Sequence, residues 1–129
     1  MNTIDANVKN DVFAKFVGIE LIEVQKGKAV TSLKINENHM NGINIAHGAA
    51  VFALADYAFA AASNSHGITA VALNVSISYI KAVQCGTVLT ATATEISANS
   101  KIANYMINIT DEQGNTIAVF QGLAYRKKP

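Results

Sequence analysis

A long apolar segment in the middle of the chain constrains the fold more than any other feature. From residue 48 to about residue 65 the sequence is rich in Ala, has no Gly or Pro in its interior, and is followed by Gly67, which can terminate a helix. The apolar residues lie on all sides of the predicted helix instead of forming one stripe. We therefore expect a central helix that a sheet encloses on most sides.

The rest of the chain is dominated by segments typical of β-strands. Residues 19–25 and 29–35 flank Gly27 and predict a hairpin, and a short amphipathic helix is predicted before them, over residues 10–17. Four more strands are predicted after the central helix, as an antiparallel meander over residues 70–80, 87–96, 102–110 and 116–125. This order indicates the α+β class, with a helix on one face of an antiparallel sheet.

Composition excludes several classes of function. The chain has 10 Lys and Arg against 9 Asp and Glu, so no strong basic field is available to bind nucleic acid. Cys85 is the single cysteine, and no Cys/His cluster has the spacing of a zinc site, which leads us to expect a cytoplasmic protein without a metal. The central apolar segment is too short to cross a bilayer, and residues 1–11 lack the apolar core of a secretory signal. The 129 residues are expected to form one domain, 1–129.

Asp56 is the only residue inside the predicted central helix that carries a formal charge at neutral pH. A buried carboxylate is costly unless it is paired or hydrogen-bonded. One interpretation is structural: the carboxylate bonds to backbone or Ser groups, or faces solvent. The other is functional, as a general base or nucleophile whose pKa its surroundings adjust. The residue pattern alone leaves both open.

The start of the central helix, His47-Gly48-Ala49-Ala50, is a second candidate. Unpaired backbone N–H groups at a helix N-terminus suit a carbonyl oxygen that becomes negatively charged, and Gly48 gives a ligand access to them. An ordinary helix start, with His47 as a capping or packing residue, explains the same residues and is favoured on this feature alone. Asn41, in the Asn-rich loop before the helix, is typical of turns, and its amide can also orient a water or donate to a carbonyl.

The remaining polar candidates are weaker. His39 and His66 are expected at solvated loop positions, and Cys85 has no partner that would activate it.

Taken together, the loop and the helix form a spaced motif. Asn41 precedes His47-Gly48 by six positions, and Asp56 follows His47 by nine. This pattern resembles the hotdog-fold acyl-CoA thioesterases of the phenylacetate-degradation (PaaI-like) type, and the resemblance extends over nearly the whole chain from about residue 12.

The resemblance implies a fold and a reaction. The fold would be the hotdog, an antiparallel sheet wrapped around a long central helix. The reaction would be hydrolysis of a small aryl- or acyl-CoA thioester to free acid and CoA, without a cofactor, in a homodimer or homotetramer.

The resemblance also implies roles for individual residues. Asp56 would be the base or nucleophile, and the Gly48 amide, next to His47, would polarise the carbonyl. Asn41 would position water or substrate. Asn74 and Lys81 would be substrate-binding residues, Asn74 in an accessory role and Lys81 near the CoA.

Two other functions are compatible with such a fold. One is an acyl-thioester hydratase or dehydratase, whose Pro-containing His loops are absent here. The other is a non-catalytic acyl-CoA-binding protein, against which the joint presence of Asn41, Gly48 and Asp56 argues.

Helix geometry predicts that the site contains residues of two chains. Gly48 and Asp56 are eight residues apart, so their Cα atoms lie about 12 Å apart along one helix. One thioester carbonyl cannot contact both. A two-fold dimer with the central helices side by side would bring Gly48 of one chain opposite Asp56 of the other.

Overall fold

The computed structural model describes residues 3–127 of the chain. Its elements in chain order are α1 (Thr3–Lys9), α2 (Val12–Val17), β1 (Glu20–Gln25), β2 (Lys28–Lys34), a 3₁₀ turn (Glu37–His39), α3 (Gly48–Ser63), β3 (Ala70–Tyr79), β4 (Val88–Ala98), β5 (Ile102–Thr110) and β6 (Thr116–Arg126). None of the helices in this range is long and apolar enough to cross a membrane.

The six strands form one antiparallel sheet in the order β1-β2-β4-β5-β6-β3. The α+β prediction is confirmed, and so is the hairpin of β1 and β2. The predicted four-strand meander is wrong for β3, which pairs with β6 on the far side of the sheet instead of with β4.

The segment between β3 and β4 explains the difference. The turn in residues 80–87, closed by a 3.3 Å hydrogen bond from the Thr87 N–H to the Gln84 carbonyl, leads into β4 and does not join β3 to β4 as a hairpin. In chain order, the backbone groups of these residues form hydrogen bonds with the backbone of Ile117, Ala46 and Ile35. Eight extended residues reach at most about 28 Å, enough to cross the three strand spacings between β3 and β4. Strand pairing over such a distance leaves no local signal in the sequence.

Helix α3 packs on the inner face of the sheet, and its small side chains allow a close approach. Leu54, Ala55 and Ala58 are fully buried, as the all-round apolar pattern predicts. Phe59 packs between Tyr105 and Phe120, with ring centroids 5.7 and 5.8 Å away. These contacts fix α3 as the centre of the core.

A glycine in the sheet makes room for this aromatic cluster. A Cβ atom on Gly122 would lie 2.7 Å from Cε1 of Phe59, closer than atoms can pack. The ring therefore fits against β6 only because residue 122 has no side chain.

The N-terminal region differs from the sequence prediction. Helix α2 confirms the helix predicted over residues 10–17, but a second helix, α1, precedes it, and only Ala14 of α2 is buried. Val12, Phe13 and Phe16, which form the apolar face of the predicted amphipathic helix, are 81%, 64% and 86% exposed. Their apolar face has no partner among residues 3–127. The region is attached instead through Ala14 and through a 2.8 Å hydrogen bond from the hydroxyl of Tyr57 to the carbonyl of Val8.

Candidate active site

Asp56 lies on α3 and faces a groove of about 400 Å³. Its carboxylate is half-buried, and no residue within the described range 3–127 forms a hydrogen bond or ion pair with it. The structural interpretation, in which backbone or Ser groups hold the carboxylate, therefore finds no such partner. The groove leaves the carboxylate open to a ligand or a water molecule.

The groove is formed by three parts of the chain. Phe13 and Ile19 come from the N-terminal region, Phe52 and Tyr57 from α3, and Tyr79 from the end of β3. Two carboxylates, Asp56 and Asp11, also line it, and mostly apolar walls with few polar groups are typical of small-ligand sites.

The position of Asp56 is fixed from the sheet side. Thr31, fully buried on β2, donates its hydroxyl to the carbonyl of Leu54 over 3.0 Å. This bond holds the helix against the sheet two residues before Asp56, and so sets the side of α3 that faces the groove.

The surroundings of Asp56 raise its pKa. The main cause is burial, and the negative charge of Asp11 adds to it. Asp11 is held in place as the N-cap of α2, where its Oδ1 accepts from the backbone N–H of Ala14 at 2.9 Å. A higher pKa makes the Asp56 carboxylate a stronger base than an exposed aspartate.

The start of α3 has the geometry of an ordinary capped helix. The Nδ1 atom of His47 accepts from the N–H of Ala49 at 2.9 Å, which confirms the capping interpretation and puts the ring proton of a neutral His47 on Nε2. The His47 carbonyl accepts from Ala50 at 3.0 Å. The N–H of Gly48 has no acceptor in the described part of the chain, so it is the donor left available at this helix start.

The side-chain oxygen of Asn41 stabilises the loop before α3. Its Oδ1 accepts from the N–H groups of Ile43 and Ile45 at 3.0 and 3.2 Å, which is the turn chemistry that the sequence suggests. Its Nδ2 has no acceptor among residues 3–127, and the side chain is half-buried. The amide therefore organises the loop and keeps a donor for a ligand.

A second groove, of about 310 Å³, is lined by three of the predicted site residues: Asn41, Gly48 and Lys81. Asp56 is not among its lining residues and faces the first groove instead. A single chain thus gathers Asn41, Gly48 and Lys81 in one place and the Asp56 carboxylate in another.

Asn74 lines neither groove. It lies exposed on β3 beside a register shift between Ala72 and Asn74. Val75 and Ile77 of the same strand pack against the core. Within one chain, Asn74 is not brought together with Asn41, Gly48 or Asp56.

The two loop histidines are not solvated as predicted. His39 is 8% exposed, with Nδ1 accepting from the N–H of Asn36 and Nε2 donating to the carbonyl of Val17 at 2.7 Å. His66 contacts Glu95 Oε1 at 2.8 Å. Both tie chain segments together, because each loop folds back on a polar group that the local sequence does not reveal.

No cluster of His, Cys, Asp or Glu side chains that could hold a metal ion occurs between residues 3 and 127.

Comparison with known proteins identifies the family. Residues 43–118 match the family described as the thioesterase superfamily. The chain belongs to the thioesterase superfamily. It is 37% identical over 121 residues to the acyl-coenzyme A thioesterase PaaI of Escherichia coli, covering 94% of this chain and 86% of PaaI. It is 31% identical over 116 residues to the 1,4-dihydroxy-2-naphthoyl-CoA hydrolase of Listeria monocytogenes, covering 87% of this chain and 94% of that protein.

The solved structure of the E. coli PaaI protein from the phenylacetic acid degradation operon superposes with a TM-score of 0.93 at 36% identity. The match covers 96% of this chain and 90% of PaaI. These comparisons confirm the PaaI-like resemblance, the hotdog fold and the prediction that this thioesterase-superfamily chain is a thioester hydrolase.

Sequence reasoning missed one residue of the site, Tyr79. Its side chain lines both grooves, and its hydroxyl donates to the carbonyl of Gly48 at 3.0 Å. Its ring also occupies the space beside Gly48, where we expected a ligand to gain access. An aromatic residue two positions before Lys81, at the end of a predicted strand, is the only local signal. The role of Tyr79 depends on its contact with Gly48, which lies 31 positions away in the sequence.

Proposed function

We propose that this thioester hydrolase cleaves a small aryl- or acyl-CoA thioester to the free acid and CoA, with Asp56 as the general base and the Gly48 amide as the oxyanion donor. One observation carries the proposal: two groups suited to this chemistry are left unused on the same helix. The carboxylate of Asp56 and the N–H of Gly48 both lack a partner among the residues described, and each of the two residues lines a groove. The similarity to PaaI of E. coli, an acyl-coenzyme A thioesterase, supports acyl-CoA as the substrate class.

The chemistry balances without a cofactor. A water molecule bound at Asp56 gives a proton to the carboxylate while its oxygen attacks the thioester carbonyl carbon. The carbonyl oxygen becomes negative and accepts a hydrogen bond from the Gly48 N–H. When the tetrahedral intermediate collapses, the C–S bond breaks. The departing CoA sulfur takes the proton from Asp56, leaving free acid, CoA thiol and the starting carboxylate.

The raised pKa of Asp56 strengthens its carboxylate both as a general base and as a nucleophile, so an isotope experiment must separate the two routes. The two routes differ in where the oxygen of water goes. A single turnover in ¹⁸O-labelled water should put the label in the product acid and leave the Asp56 peptide unlabelled. Label in that peptide would instead show that the carboxylate attacks and forms a mixed anhydride, which water then opens at the aspartyl carbon.

We further propose that the complete site lies between two copies of the chain. Support comes from the separate grooves and from the spacing of about 12 Å between Gly48 and Asp56 along α3. It also comes from β3, an edge strand with exposed Val71 and Leu73, since an unpaired apolar edge favours association. A homodimer, alone or paired into a homotetramer, would place Gly48 of one copy near Asp56 of the other.

The second groove suggests roles for its other polar residues. The unused Nδ2 of Asn41 would hold the thioester or the attacking water, and Lys81 would approach a phosphate of CoA. The substrate-binding role of Asn74 stays a prediction.

Thiol release tests the proposed function directly. The purified protein is incubated with a panel of aryl- and aliphatic-CoA esters, and free thiol and product acid are measured. Equal amounts of thiol and acid support hydrolysis. Hydration without thiol would indicate a hydratase, and tight binding without any product would indicate a non-catalytic binding protein. Either result would overturn the proposal.

A further inference from the structure

Tyr79 contacts the start of α3 in two ways. Its hydroxyl donates to the carbonyl of Gly48 at 3.0 Å. Its ring also lies where a side chain at residue 48 would be. A Cβ atom there would meet Cζ, Oη and Cε1 of Tyr79 at 3.1, 3.2 and 3.4 Å. The absent side chain of Gly48 therefore makes room for the tyrosine.

These contacts hold the first turn of the helix from two sides. The peptide group between Gly48 and Ala49 donates its N–H to His47 Nδ1 at 2.9 Å, and its C=O accepts from Tyr79. The next peptide group towards the N-terminus carries the unpaired Gly48 N–H. Fixing one peptide plane restricts its neighbour through the shared Cα, so the direction of this N–H depends on both contacts.

The position of Tyr79 suits such a role. Its ring forms a wall of both the Asp56 groove and the Gly48 groove. Burial raises the pKa of its hydroxyl, which keeps it protonated and able to donate through the neutral range. The side chain is still 55% exposed, so packing of its ring contributes little to the core.

We propose that Tyr79 is a positioning residue for thioester hydrolysis: it holds the first turn of α3 so that the Gly48 N–H points at the thioester oxygen. This inference rests on the proposed function, in which the Gly48 amide stabilises the transition state. It gives Gly48 a second role, since a methyl group at residue 48 would press against the Tyr79 ring at 3.1 Å.

The first test removes only the hydroxyl. Tyr79→Phe should lower kcat by about five- to tenfold, the scale of one lost neutral hydrogen bond, while KM changes by less than about twofold. The matched control is Tyr125→Phe. Tyr125 lies on β6, and its hydroxyl bonds to nothing in the described part of the chain. The control should keep both constants, and the melting temperature of each variant should stay near that of the wild type.

A change in KM with unchanged kcat would overturn the proposal, since it would make Tyr79 only a wall of the binding groove. Unchanged kinetics for Tyr79→Phe would overturn it as well.

The second test is a double-mutant cycle between the two contacting residues. Gly48→Ala in the wild-type background makes the Tyr79 ring give way by a few tenths of an ångström, which strains its hydrogen bond to the Gly48 carbonyl and should lower kcat by about five- to tenfold. In a Tyr79→Leu background the space is free, so adding Gly48→Ala should lower kcat by less than about threefold further. Independent, multiplicative losses would contradict the proposed coupling.

Asp56→Asn separates a failure of this inference from a failure of the proposed function. If Asp56→Asn remains active, the hydrolytic mechanism is wrong. If Asp56→Asn is inactive and Tyr79→Phe has wild-type kinetics, only the role of Tyr79 is wrong.

Discussion

Replacement of Asp56 by Asn tests the proposed base with little disturbance of the fold. The substitution keeps the shape of the side chain and removes its ability to accept a proton. The carboxylate has no hydrogen-bond or ion-pair partner in the described range, so no buried group loses a partner. We expect turnover to fall by about 10²-fold or more, the scale of a lost general base. This corresponds to about 2.7 kcal/mol of transition-state stabilisation.

The same substitution should not destabilise the protein. Burial and the charge of Asp11 raise the pKa of Asp56 above its ordinary value. A carboxyl group whose pKa is raised by folding binds protons more tightly in the native state. It therefore lowers stability as the pH rises above the unfolded-state pKa. Removing the charge relieves this cost at neutral pH, so the melting temperature of Asp56→Asn should equal or exceed that of the wild type.

The assay is continuous thiol release under saturating acyl-CoA, combined with thermal unfolding. Glu20→Gln is the matched control, because it makes the same chemical change at an exposed position on β1. The control should retain full activity. If folded Asp56→Asn hydrolyses its best substrate within a fewfold of the wild-type rate, Asp56 is not the base.

Two further changes test the surroundings of the site and the core. Asp11→Asn keeps an N-cap oxygen but removes the negative charge that helps raise the pKa of Asp56. The fall of kcat/KM on the acidic side of its pH profile should therefore move to lower pH. An unchanged profile would show that the charge of Asp11 has no effect on the base. Gly122→Ala puts a methyl group 2.7 Å from Phe59 and should reduce the free energy of unfolding in urea by about 1–3 kcal/mol, whereas Gly42→Ala meets no atom within 4 Å and should change it little.

Much of the secondary structure could be predicted because its signals are local. The Ala-rich pattern of α3 and the alternation in the strands depend on neighbouring residues, and the structure has both. The partner of β3 could not be predicted in this way. The choice between β4 and β6 depends on the path of residues 80–87 across the end of the sheet.

The exposed face of α2 shows a second limit of such prediction. An apolar stripe of Val12, Phe13 and Phe16 predicts burial but does not say against what. Within the described chain, that stripe has no partner.

The candidate site was predictable to the extent that its residues follow a spaced motif. Asn41, His47, Gly48 and Asp56 stand in a fixed order, and the structure puts all four on the loop and helix expected. The sequence does not predict Tyr79 as a site residue, because its role depends on a contact between the end of β3 and the start of α3. The burial of His39 could not be predicted for the same reason, since its partner, the Val17 carbonyl, is 22 residues away.

Mixing two impaired variants tests most directly the central claim, that each site combines Gly48 of one copy with Asp56 of another. Asp56→Asn chains and Gly48→Ala chains are unfolded, mixed, refolded together and assayed for thiol release, with mass spectrometry to count heterodimers. Each heterodimer should contain one site with both lesions and one site with neither, so its activity should return to about half that of the wild-type dimer. Activity no higher than that of the separate variants, with heterodimers present, would show that each site is built within one chain.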